Sequence, residues 1–193
     1  MTASGIDPTV GLTLRAALSV LFVWSASHKL RDVEAFRTAL AGYQLVPDRW
    51  LGATAGVFIA AELCVAVGLW RPGYAGLASC TAAGLFAIYT GAIGINLLRG
   101  RRDIDCGCAG TAHPHPLSAA LVARNAILGA AALASALPAA SRAPTWVDGI
   151  TVFASVTTLA LLYTAVDGLL INAPRISPLA RVARHQQRVT THA

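Results

Sequence analysis

LGATAGVFIAAELCVAVGLW, residues 51–70, is followed by Arg71-Pro72 and then by GYAGLASCTAAGLFAIYTGAIGINLL, residues 73–98. Each run is long enough to cross a bilayer as a helix, which takes roughly 17–25 predominantly apolar residues. Neither run alternates apolar with polar residues, which excludes a transmembrane β-barrel. The short link makes the two runs a tight hairpin. Three further runs of the same kind cover residues 11–30, 117–137 and 146–171. The expectation is an all-α integral membrane protein with one polytopic domain over residues 1–173. Residues 174–193, rich in Arg and Gln, then form a basic tail expected to be disordered and held to anionic lipid. The first ten residues read as a short polar lead. They have no basic start, and the run after them is too long for a secretory signal.

Composition supports this. Of 193 residues, 55% are hydrophobic and 12% charged, and the mean hydropathy is +0.60. An ordinary soluble domain is less apolar. The net charge of +6 sits in the connections between runs. Lys29, Arg31, Arg37 and Arg49 follow the first run, and Arg99, Arg101 and Arg102 follow the third. Arg175, Arg181, Arg184 and Arg188 follow the fifth, whereas the opposite side holds Arg71 and Arg142. The positive-inside rule then places the amino end outside and both the third connection and the tail in the cytoplasm. Trp50, Trp70 and Trp146 stand at run ends, where an aromatic belt lies. Lipid headgroups account for the basic charge, so no nucleic-acid partner is expected.

Polar residues inside the runs are the candidates for structural or functional work, because they are expensive in lipid. Glu62 lies near the middle of the second run and Arg15 about one turn into the first. Depth counted from the helix ends makes Arg15 the favoured partner of Glu62. The alternatives are a neutral Glu62 hydrogen-bonded inside the bundle and an Arg15 that snorkels to the interface. Arg124 and Asn125 in the fourth run and Asp167 in the fifth approach the same inner face, and an Arg124–Asp167 pair would dock the fifth helix. Cys64 and Cys80 should lie at similar depth, either as neighbours or as plain packing. Asn96 is placed to hydrogen-bond the connection that follows it. Between the first two runs, Val33, Phe36, Leu40 and Tyr43 recur at helical spacing among polar residues. They predict a short helix on the inner membrane surface, ended by Pro47.

The third connection carries the chemistry. Residues 99–110 read Arg-Gly-Arg-Arg-Asp-Ile-Asp-Cys-Gly-Cys-Ala-Gly. Cys106 and Cys108 are separated only by Gly107. A disulfide needs Cα atoms roughly 4.4–6.8 Å apart. Residues two apart meet that only where the chain bends, which glycine permits. Such a ring is strained and easily reduced, which suits a pair that cycles. Arg101 and Arg102 favour a thiolate, while Asp103 and Asp105 oppose it. His113 and His115 follow within a few residues, so Cys106, Cys108, His113 and His115 form an alternative zinc or copper set. The favoured reading has no resident metal or other cofactor.

The pattern Ser25-x-x-x-Lys29, Phe36, Tyr43, Pro47 and a helix bearing Glu62 resembles the DoxX-like four-helix membrane core, here with a fifth C-terminal transmembrane helix. The block of residues 99–110, with Ser118 and Arg124-Asn125 after it, resembles the MauE branch of methylamine-utilisation membrane proteins. The resemblance covers about residues 11–171. It implies a role in maturing or exporting the disulfide-rich small (beta) subunit of methylamine dehydrogenase, with a thioredoxin-like protein as partner. Ala109 departs from the larger, often aromatic residue expected there. That client is matured outside the cytoplasm, whereas the charge bias puts the Cys-Gly-Cys loop inside. Three function classes follow: a membrane thiol–disulfide redox protein using Cys106 and Cys108, a metal-binding or metal-passing membrane protein, and a non-catalytic assembly scaffold.

Overall fold

The computed structural model describes residues 5–101, 104, 117–140, 142–143 and 145–190, with side chains as far as residue 169. The described chain is helical: α1 (Pro8–Arg31), α2 (Val33–Tyr43), a short 3-10 turn (Asp48–Trp50), α3 (Leu51–Gly68), α4 (Ala75–Leu98), α5 (Ala119–Ser135) and α6 (Trp146–Thr190). Among the described residues four stretches are long and apolar enough to span a membrane: Pro8–Arg31, Asp48–Gly68, Ala75–Leu98 and Trp146–Leu169. α5 is a shorter apolar helix of 17 residues, at the lower limit for spanning. The chain divides into two units, Met1–Leu159 and Ala160–Ala193.

In the first unit, α1 packs on α3 and α5, and α4 packs on α3 and α5. Leu18, Phe22, Val65, Leu69, Leu85 and Phe86 form the centre of the core, with the Phe22 and Phe86 rings 5.2 Å apart. Small residues let the helices approach: a Cβ added at Gly68 would lie 3.0 Å from the Cβ of Ala78 on α4. The Ser79 and Ser135 hydroxyls, both fully buried, join α4 to α5 at 2.8 Å. Trp146 and Phe153 of α6 are exposed, as lipid-facing residues are.

Several boundaries differ from the sequence reading, each for a local reason. The α3–α4 hairpin turns over residues 69–74 instead of a bare Arg71-Pro72, with Gly73 at φ 79° in the left-handed region. α2 stops at Tyr43, before Pro47, because Gln44 takes the left-handed conformation (φ 51°) and its amide donates to the Ala41 carbonyl. The backbone is helical as far as Thr190, past the span end expected at residue 171 and through most of the segment expected to be a disordered tail. Ala, Leu, Arg and Gln of this segment are strong helix formers, whereas Pro174 and Pro178 within it each remove a backbone donor.

The amino-terminal lead is tied down. The Ile6 amide donates to the Pro138 carbonyl (3.1 Å), and the Ala140 amide donates to the Ile6 carbonyl (2.9 Å). Asp7 caps α1 by accepting from the Thr9 amide at 2.8 Å. Arg142 bridges Asp7 (3.1 Å) and Asp148 in the first turn of α6 (2.8 Å), and it also donates to the Thr9 hydroxyl. The Arg142 guanidinium, followed by the Thr9 amide, holds the Asp7 carboxyl below its ordinary value. Asp148 and then Asp7 raise Arg142 above its ordinary range.

Candidate functional site

Glu62 is the pivot of the bundle interior and is fully buried. Its Oε1 accepts three hydrogen bonds: from the Lys29 ammonium, from the Tyr89 hydroxyl at 2.8 Å and from the Ser25 hydroxyl at 3.1 Å. Lys29 is 4% exposed and also donates to the Tyr89 oxygen at 3.4 Å. The ammonium lies 5.0 Å from the Phe36 ring centre and 5.1 Å from that of Tyr89, so two aromatic faces share its charge. The Glu62 Oε2 has no hydrogen-bond partner among the described residues. One cluster thus ties together α1, α2, α3 and α4.

The partner of Glu62 is Lys29, and the expected Arg15–Glu62 pair does not form. Arg15 instead donates from Nε (3.4 Å) and from a terminal nitrogen (3.3 Å) to the Ser135 carbonyl at the end of α5. The register between α1 and α3 explains this. The Ser19 hydroxyl donates to the Ala66 carbonyl at 3.0 Å, which levels those positions on the antiparallel pair. Arg15 then lies level with about position 70, some 12 Å from Glu62 toward the amino end of α1 at 1.5 Å per residue. Counting from helix ends fails because α3 starts beyond the end of α1, alongside α2, where Phe36 packs on Ala55 and Ile59. Side-chain direction decides the rest. Cβ bonds tilt toward the helix amino end, so on these antiparallel helices Lys29 and Glu62 lean toward each other.

The base of the third connection is held by Asn96, as its place in the sequence leads one to expect. Asn96 is fully buried and donates to the Tyr43 carbonyl at 3.2 Å, and its oxygen accepts from Arg101 at 3.4 Å. The Arg101 amide donates to the Asn96 carbonyl at 2.9 Å. Ile104 reaches α2, where a Cβ added at Gly42 would lie 3.2 Å from its methyl group. Cys106, Cys108, His113 and His115 lie outside the described residues. Among the described residues no cluster of three metal-ligating side chains occurs. Cys64 and Cys80 are free thiols, each exposed on the bundle surface. Asn125 is buried, and its side-chain nitrogen has no hydrogen-bond partner among the described residues. Arg124 is half-buried on α5; the expected Arg124–Asp167 pair would join the two units and stays an expectation.

Residues 7–138 match the family described as methylamine utilisation protein MauE. The chain belongs to the MauE family. It is 41% identical to the methylamine utilization protein MauE of Paracoccus denitrificans, an alignment that covers 84% of this chain and 88% of that one. It is 39% identical to the MauE of Methylorubrum extorquens (82% and 87% covered) and 32% identical to that of Methylophilus methylotrophus (87% and 89%). No solved structure matches. In this MauE-family chain, Ser25, Lys29, Phe36 and Glu62, dispersed over three helices in sequence, converge on one point. Tyr89 completes the cluster, and sequence reasoning missed it. Its signal was a phenol in the interior of a long apolar run, away from the run ends where Tyr74 lies.

Proposed function

We propose that this chain acts in methylamine utilisation as a membrane thiol–disulfide carrier, with Cys106 and Cys108 as its working pair. The observation that carries this reading is the Cys-Gly-Cys spacing, set in the polar connection of a multi-pass MauE-family chain. One cysteine, as thiolate, attacks a disulfide of the client. A mixed disulfide forms and one client thiolate leaves. The second cysteine then attacks the mixed disulfide through its own thiolate, which releases the second client thiolate. The client has gained two electrons, and Cys106 and Cys108 have become a disulfide. A thioredoxin-like dithiol restores the pair by the same exchange in reverse. The client is a disulfide-rich protein such as the methylamine dehydrogenase beta subunit.

The anchoring of Arg101 and Ile104 against Asn96 and α2 supports this reading. It gives a loop that must dock two partners a fixed base at the membrane surface. The basic residues at the inner face favour a cytoplasmic loop. An otherwise cysteine-less chain that keeps Cys106 then reacts with an impermeant maleimide in inside-out vesicles and not in whole cells. The test of the chemistry is a non-reducing gel of Cys106→Ser and Cys108→Ser beside His113→Ala. One serine variant traps a mixed disulfide while membrane insertion is kept, and His113→Ala behaves as wild type. If neither traps an adduct and His113→Ala is equally defective with loss of bound zinc or copper, the metal reading replaces this one. No adduct and no phenotype leaves the scaffold reading.

A further inference from the structure

Beside the Lys29–Glu62 cluster lies a cavity of about 150 Å³ between α2, α3 and α4, half-open to the bundle surface. Phe36, Phe58, Tyr43 and Tyr89 contribute aromatic wall, with the Phe58 and Tyr89 rings 5.4 Å apart. Ile88 of α4 and Leu45 of the segment after α2, 54% and 39% exposed, stand at its rim. Apart from the aromatic hydroxyls, the polar side chain in the wall is Lys29.

We propose that this cavity binds the head ring of a membrane-dissolved quinone, with Lys29 donating a hydrogen bond to a ring carbonyl. Four observations lead to that chemical class. First, a largely apolar cavity of about 150 Å³ has room for one benzene-sized ring. Second, an ammonium has three N–H groups, and Lys29 directs hydrogen bonds only to Glu62 and Tyr89 among the described residues, which leaves one donor for an acceptor oxygen. Third, Lys29 and Glu62 already balance each other. A neutral acceptor adds no unpaired charge at this depth, whereas a fatty-acid carboxylate would. Fourth, aromatic walls stack a planar ring better than they hold a flexible acyl chain. The half-open side lets an isoprenoid tail pass into the lipid. This binding uses neither Cys106 nor Cys108, so it stands or falls apart from the thiol reading.

The test uses the full chain in nanodiscs of synthetic phosphatidylcholine and an azide-bearing short-chain benzoquinone as photoprobe. Label is expected on the α3 and α4 peptides that carry Phe58 and Tyr89. Excess decyl-benzoquinone should lower it at least fivefold, and decylbenzene, which lacks the carbonyls, should compete at least tenfold more weakly. Ala92→Phe and Ala39→Phe each put a ring into the cavity from a different helix. Either variant that elutes as wild type should lose at least four-fifths of the label. Label absent from these peptides, label unchanged in a correctly eluting filled variant, or equal competition by decylbenzene or oleic acid would overturn the proposal.

Discussion

Lys29→Met is the sharpest perturbation of the bundle, because it removes the cation and leaves the Glu62 carboxylate in place. Glu62 is fully buried and Lys29 nearly so, so no water compensates the loss. The hydroxyls of Ser25 and Tyr89, at 3.1 and 2.8 Å, are already bound in the wild type and supply nothing new. Removing one member of a buried ion pair costs about 3–5 kcal/mol, and one uncompensated charge at the centre of a membrane helix costs about 2.5–3.5 kcal/mol. The expected loss is therefore about 3 kcal/mol, more than a hundredfold in the folding equilibrium at 1.4 kcal/mol per decade. Glu62→Leu strands the ammonium instead and costs a similar amount. Replacing both members of a buried pair by apolar residues is often nearly neutral. The double variant Lys29→Met, Glu62→Leu should thus lose no more than about 2 kcal/mol, a coupling of about 4 kcal/mol. The assay is reversible unfolding in mixed micelles with rising dodecyl sulfate, followed by tryptophan fluorescence. A double variant whose loss equals the sum of the two single losses, to within about 0.5 kcal/mol, would refute the pairing.

Arg15→Ala removes two long hydrogen bonds to the Ser135 carbonyl and should cost about 1 kcal/mol. Its effect should add to that of Glu62→Gln, and exchanging Arg15 with Glu62 should rescue nothing in the same unfolding assay. Asn96→Ala deprives the Tyr43 carbonyl and the Arg101 side chain of their partner, at about 1–2 kcal/mol. Faster tryptic cleavage at Arg99 and Arg101 reports it. The Asp7 carboxyl is depressed in the folded chain, so its contribution is present above the ordinary carboxylate value and lost as pH falls through the lowered one. Amide exchange at residues 6 and 140 should accelerate only below about pH 4, and Arg142→Gln should remove that pH dependence.

The helical membrane architecture was legible because run length and continuous apolarity depend on nothing outside each segment. α2 was legible for a similar reason: Phe36 and Tyr43 are buried at the spacing read from the sequence. The pairing of Glu62 was not, because it depends on where α3 begins relative to α1. That offset is set by α2 lying across the end of α1, a tertiary fact with no local signature. Tyr89 stayed hidden since a phenol in an apolar run carries no charge to draw attention, yet it supplies the hydroxyl that both Lys29 and Glu62 need. The order at Ile6 was equally illegible. A short polar lead gains structure from backbone groups at residues 138 and 140 and from the Arg142 side chain, all far along the chain.

That last connection bears on how the chain is made. The Asp7–Arg142 contact spans 135 positions. At about 5–20 residues per second of synthesis, the start of α1 waits on the order of ten seconds for Arg142 to leave the ribosome. Until then the first helix sits in the membrane without its clasp, and its amino end is held only by its own cap. The two ends of the first unit are therefore joined late, after α3 and α4 have had time to find α1. A nascent chain arrested before residue 138 should present the Asp7 end to proteases, and the completed chain should protect it.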